Sequence, residues 1–154
     1  MKSSAMLYQK EHVEGFVNVY TDASSDHHWQ KSCIGIVVDS STPIYYSEEV
    51  EFNTDTTIVE GIAIIKALTI LQENKIVSAN LYTDSEALYT SLVRPWKKKR
   101  EELSKITKNI YKLSRNFSYL NINLVNRFIV EYAHNLASNE LERVRDDIRQ
   151  RIKK

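Results

Sequence analysis

The chain of 154 residues has one cysteine, Cys33, which excludes an internal disulfide and a cysteine-based zinc site. No stretch approaches the length of a membrane span. The first fifteen residues, MKSSAMLYQKEHVEG, contain no apolar run of the kind a secretory leader needs. Proline and glycine are scarce, and no linker rich in them divides the chain. The formal net charge is only +1, so no global charge bias points to a partner. These absences predict one soluble domain with a single core. A reducing, cytoplasmic setting, a monomer and no membrane partner are expected.

Positive charge is present, but it is local. Between Arg94 and Arg115 nine basic residues face only Glu101 and Glu102. The rest of the chain is therefore net acidic. Proteins that grip a polyanion with one arm distribute charge in this way.

The hydrophobic pattern predicts an α/β domain over residues 13–154, preceded by a loose polar arm at 1–12. Strands are expected at about 13–22, 31–39 and 44–52, joined by short polar turns as an antiparallel meander. Asn53-Thr54-Asp55-Thr56-Thr57 signals a helix start, and that helix runs to about Asn74, largely apolar. A fourth strand is expected over 76–84, then a short helix broken at Arg94-Pro95. A basic amphipathic helix (about 98–115), a fifth strand within 119–131 and a final helix from about Asn135 complete the order. This order suits one mixed sheet.

The tripeptide Tyr-Thr-Asp occurs twice, ending at Asp22 and Asp84, each time after an apolar β-branched run. Each aspartate is thus expected at or near the end of a strand inside the sheet. Two carboxylates there repel unless a cation lies between them. Glu60 is the only acid between Thr56 and Gln72, in a helix otherwise almost wholly apolar. Taken singly, the aspartates read equally as caps or turn formers, and Glu60 as a carboxylate favoured by the helix dipole. Three together suit Mg²⁺ or Mn²⁺. Two such ions roughly 4 Å apart activate water and stabilise the leaving oxygen of a phosphodiester.

On four segments the chain resembles the type 1 ribonuclease H domain and its relatives in retroelement polymerases. VNVYTDAS resembles that family's first strand with its first catalytic aspartate, and TTIVEGIAIIKAL its helix with the catalytic glutamate. LYTDSEAL is similar to the strand-to-helix segment with the second aspartate. Asn135-Leu136-Ala137-Ser138-Asn139-Glu140-Leu141 is similar to the last helix start, written N-x-x-A-D-x-L. The resemblance implies a ribonuclease H-like fold with a five-stranded mixed sheet of order 3-2-1-4-5 and helices on both faces. It implies metal-dependent cleavage of the RNA strand of an RNA–DNA hybrid. Asp22, Glu60 and Asp84 would hold the two ions, with Asn139 as an uncharged fourth ligand. It also implies nucleic-acid contacts at Ser24, Thr57 and Ser85, and at the short basic handle Trp96, Lys97, Lys98, Lys99 and Arg100.

The chain departs from the family pattern first at Asn139, where the family has Asp, and at Glu86, where a Gln is common; two further departures stand out. Thr56-Thr57 replaces an asparagine pair that reads the minor groove, and the histidine of the loop before the last helix has no clear counterpart, because His134 adjoins Asn135. His27, His28 and Trp29 read as an exposed polar turn. Two further readings remain open: a nucleic-acid-binding module without competent metal binding, and a related nuclease with another nucleic-acid substrate.

Overall fold

In the computed structural model, which describes residues 3–10 and 15–153, three layers form around a six-stranded sheet. The strands are β1 (Ser3–Gln9), β2 (Val17–Asp26), β3 (Lys31–Asp39), β4 (Ile44–Val50), β5 (Ser78–Thr83) and β6 (Tyr119–Leu124). The helices are α1 (Thr56–Glu73), α2 (Glu86–Val93), α3 (Glu101–Ser114) and α4 (Glu131–Ile152). A 3-10 turn, Arg127–Val130, leads into α4.

The sheet order is β1-β6-β5-β2-β3-β4. Strands β2, β3 and β4 form the expected antiparallel meander. Strands β2, β5 and β6 run parallel to one another. The five expected strands are thus in the expected order, with one strand added at the β6 edge.

That strand corrects the reading of residues 1–12 as a loose arm. Ser3–Gln9 pairs antiparallel with β6, from Ser3 opposite Leu124 to Gln9 opposite Tyr119, with one register shift after Met6. The segment lacks a clean apolar alternation, and its stability comes from an edge supplied by residues over a hundred positions away. The expected strand start at Val13 lies outside the described residues.

Strand β3 shows how the two faces are filled. Ile34 and Ile36 are fully buried in the main core with Val59, Ala63 and Leu68 of α1. Cys33 points the other way, to Leu141 and Val144 of α4. This is the period of two that a strand imposes. Helices α1, α2 and α3 therefore cover one face, and α4 covers the β2–β4 half of the other. A Cβ on Gly35 would fall on the Ala133 carbonyl oxygen and come within 2.8 Å of Ala137 N. Glycine there lets α4 lie directly on β3 beside Asp22, which pairs with Gly35. Among the described residues no helix is long and apolar enough to cross a membrane.

Candidate metal centre

Strands β2 and β5 pair from Val17–Ala79 to Tyr20–Tyr82 and then separate. The last paired residues stack their rings, with centroids 4.9 Å apart. Asp22 and Asp84 lie just beyond this point. Asp22 is mid-strand rather than at a strand end, because β2 stays paired with β3 as far as Asp26. Asp84 follows the last residue of β5. Its turn is fixed on both sides: Ser85 N donates to Thr83 Oγ1 at 3.1 Å, and Ser85 Oγ caps α2 by accepting from Leu88 N at 3.3 Å.

Glu60 reaches the gap from the second turn of α1. That helix starts at Thr56 because Asp55 caps it, accepting from Thr57 N at 3.0 Å. One carboxylate oxygen from each of Asp22, Glu60 and Asp84 lies within 4.8 Å of the other two. Asp22 and Glu60 are 3% and 9% exposed.

This cluster is electrostatically unfavourable by itself. Burial, then the neighbouring Asp22 and Asp84 carboxylates, push the Glu60 pKa well above its ordinary value. Its Oε2 is buried with no hydrogen-bond partner. Burial and Asp22 also raise Asp84, against a smaller opposing pull from Arg127. An unpartnered buried oxygen amid three hard carboxylate donors fits Mg²⁺ or Mn²⁺.

A fourth side chain reaches the cluster, but it is not Asn139. Asn139 is exposed and lines a shallow hollow with Tyr132, Asn135 and Leu136. The buried side of α4 is Ala133, Ala137, Leu141 and Val144. At 100° per residue, Asn139 falls nearly opposite that side. The expectation that Asn139 is a metal ligand is therefore corrected. Glu140 also lies away from the centre, accepting from Ser47 Oγ at 3.4 Å and pairing with Arg143.

His134 takes the place expected for Asn139. Its Nδ1 is 2.8 Å from Asp22 Oδ2. Arg127 Nη2 and Ser138 Oγ contact its other nitrogen, the latter at 3.1 Å. The signal was in the sequence: Ala133-His134-Asn135-Leu136 fits the A-D-x-L end of the motif five residues earlier, with histidine at the acidic position.

The basic handle divides in two. Arg100 pairs with Asp55, and Lys99 Nζ donates to the backbone oxygens of Arg94, Pro95 and Lys97 at 3.5, 3.4 and 3.0 Å. These two hold the 94–100 segment in shape. Lys97 and Lys98 are exposed, as is Trp96 at 79%. Together the four cations and Glu86, Ala87 and Thr90 of α2 line a groove of about 570 Å³. Ser24 and Thr57 are half-buried. His27 and His28 are exposed in the β2–β3 turn, as expected, whereas Trp29 is half-buried there and donates its backbone N–H to Asp26 Oδ1 at 2.8 Å.

A family model described as reverse transcriptase-like matches residues 20–140. Among solved structures, ribonuclease H1 of Halobacterium salinarum NRC-1 is 22% identical, with a TM-score of 0.74 over 83% of this chain and 98% of that one. The N-terminal ribonuclease H domain of a Mycobacterium tuberculosis protein is also 22% identical, with a TM-score of 0.76 over 86% and 97%. LC11 ribonuclease H1, solved in complex with an RNA/DNA hybrid, is 21% identical, with a TM-score of 0.69 over 78% and 92%. No curated protein sequence matches the chain.

Proposed function

The chain belongs to the reverse transcriptase-like family and has the ribonuclease H fold, and from that premise we propose that it is a divalent-metal-dependent endonuclease hydrolysing the RNA strand of RNA–DNA hybrids. The observation that carries the reading is the convergence of Asp22, Glu60 and Asp84 where β2 and β5 part. One of the solved neighbours carries an RNA/DNA hybrid, which supports that substrate class.

Asp22, Glu60 and Asp84 would hold two Mg²⁺ or Mn²⁺ ions. When bound, such ions activate water and neutralise charge at the scissile phosphate and its leaving oxygen. The chain's own groups do the positioning. Asp22 connects the two parts of the site: one of its oxygens lies within 4.8 Å of oxygens of Glu60 and Asp84, and its Oδ2 meets His134 Nδ1 at 2.8 Å. Arg127, at the mouth of the site, offers a guanidinium to a backbone phosphate. Lys97 and Lys98 hold phosphates farther along the duplex, and the exposed Trp96 ring beside them in sequence offers a flat apolar surface to the same strand. Hydroxyls of Ser24, Thr57 and Ser85 meet the shallow minor groove, where the ribose 2′-hydroxyl distinguishes RNA from DNA.

The decisive experiment is cleavage of an end-labelled RNA–DNA hybrid with Mg²⁺ or Mn²⁺, beside single-stranded RNA, duplex RNA and duplex DNA. Metal-dependent cutting of the RNA strand of the hybrid alone supports the reading. One observation favours a second: with three carboxylates and no fourth, the same fold with weak metal affinity would serve as a hybrid-binding module. Tight binding without cleavage in either metal identifies that case.

A further inference from the structure

We infer that His134 is a positioning residue for Asp22, a hydrogen-bond donor where the family motif has an acid, and not a metal ligand. The inference rests on the metal-centre reading above and deepens it.

The distance from His134 Nδ1 to Asp22 Oδ2, 2.8 Å, does not distinguish the two roles. Adjacent donors on one octahedral Mg²⁺ also lie about 3 Å apart, given metal–oxygen distances of about 2.1 Å. The hydrogen count does distinguish them. Arg127 approaches the other ring nitrogen, Nε2, with Nη2. A guanidinium has only donors and keeps its charge in proteins. Nε2 must therefore accept, and it carries no hydrogen. Ser138 Oγ, 3.1 Å away, adds a second donor to the same lone pair. The ring's one hydrogen is then on Nδ1, directed at Asp22 Oδ2. A nitrogen that carries a hydrogen has no lone pair for an ion.

The arrangement is a chain: Arg127 and Ser138 fix the tautomer of His134, and His134 fixes one oxygen of Asp22. Asp22 is left to bind ions through its remaining lone pairs with its orientation set. Metal-bound groups are commonly oriented by such outer contacts, and losing one typically lowers metal affinity about 10- to 100-fold. The chain also has an electrostatic consequence. A fourth carboxylate would add repulsion to a cluster whose Glu60 is already raised by burial and by its acidic neighbours. An imidazole N–H instead attracts Asp22, so the metal-free fold is favoured and the pull on cations is weaker.

The test uses the whole chain, selectively ¹⁵N-labelled at histidine. Two-bond proton–nitrogen correlation spectra read which ring nitrogen of His134 is protonated, with and without Mg²⁺, and His134→Asn assigns its signals. Nδ1 is expected to be protonated, and Nε2 not, in both states. Calorimetric Mg²⁺ titration supplies the second readout. His134→Ala should weaken binding about 10- to 100-fold. His134→Asn, which keeps an N–H near the Nδ1 position, should restore most of it. Loss of the Nδ1 proton on Mg²⁺ loading, or His134→Asn binding no better than His134→Ala, overturns the positioning role and leaves the metal centre standing. A wild-type protein that binds no Mg²⁺ overturns the metal centre itself.

Discussion

The backbone carbonyl of Ala133 occupies the space that a side chain on Gly35 would need. This contact seats α4 on β3, and α4 carries His134 to Asp22. Gly35→Ala should therefore act twice. Forced overpacking should cost about 1–3 kcal/mol. It should also lift His134 from Asp22 and weaken Mg²⁺ binding beyond what the stability loss accounts for. Thermal unfolding and Mg²⁺ calorimetry of the variant check both effects.

Glu60→Gln should raise the melting temperature of the metal-free protein while removing cleavage. The substitution removes a buried carboxyl group whose ionisation is opposed by burial and by Asp22 and Asp84, so the native state no longer has to hold a proton or a repelled charge there. Each kcal/mol gained corresponds to about 2–4 °C in a domain near this size. A variant that melts lower in EDTA would show that Glu60 is held by contacts other than an ion.

The pH dependence of stability follows from the same group. Folding raises the Glu60 pKa, so between its unfolded value, about 4.3, and its folded value the native state holds a proton that the unfolded chain has released. Stability contributed by Glu60 thus falls as pH rises through that window. Asp84 adds in the same direction, whereas Asp26, lowered by the Trp29 backbone N–H and by Arg145, opposes at more acidic pH. Melting curves in EDTA should decline from about pH 4.3 upward, and Mg²⁺ should remove the decline at neutral pH. The difference between wild type and Glu60→Gln isolates the Glu60 part.

Within the basic handle, Lys97→Gln with Lys98→Gln should make the slope of log K against log salt shallower by roughly one unit per lost phosphate contact. Lys99→Gln should change the slope less, because its ammonium already caps three backbone carbonyls. An equal change per removed charge in the two variants would mean that the four cations act as one diffuse patch.

Much of this site was legible in the sequence because its residues violate local expectation. Two aspartates that each follow an apolar β-branched run, and one glutamate in an apolar helix, are costly alone and mutually explanatory. The fifth expected strand and the meander were legible from alternation and turn chemistry. The first strand was not, since Ser3–Gln9 has no clean period and depends on the β6 edge. The α4 register was not legible for a different reason. The helix starts at Glu131, one turn before Asn135, and two stretches within it fit the same short motif. Only the packing of Ala133 and Ala137 on Gly35 selects His134 over Asn139. Asn139→Asp should accordingly leave the Mg²⁺ requirement unchanged and shift stability by no more than about 0.5 kcal/mol, as an exposed substitution does.

The central claim is that Asp22, Glu60 and Asp84 form one metal-dependent cleavage centre. The most direct measurement is single-turnover cleavage of an RNA–DNA hybrid by wild type and Asp84→Asn across a Mg²⁺ and Mn²⁺ titration. The prediction is cutting of the RNA strand by wild type only when divalent metal is present. Asp84→Asn should lose several kcal/mol of transition-state stabilisation, more than about a hundredfold in rate, while binding the hybrid as before. Undiminished cleavage by Asp84→Asn, or wild-type cleavage that persists in EDTA, would contradict it.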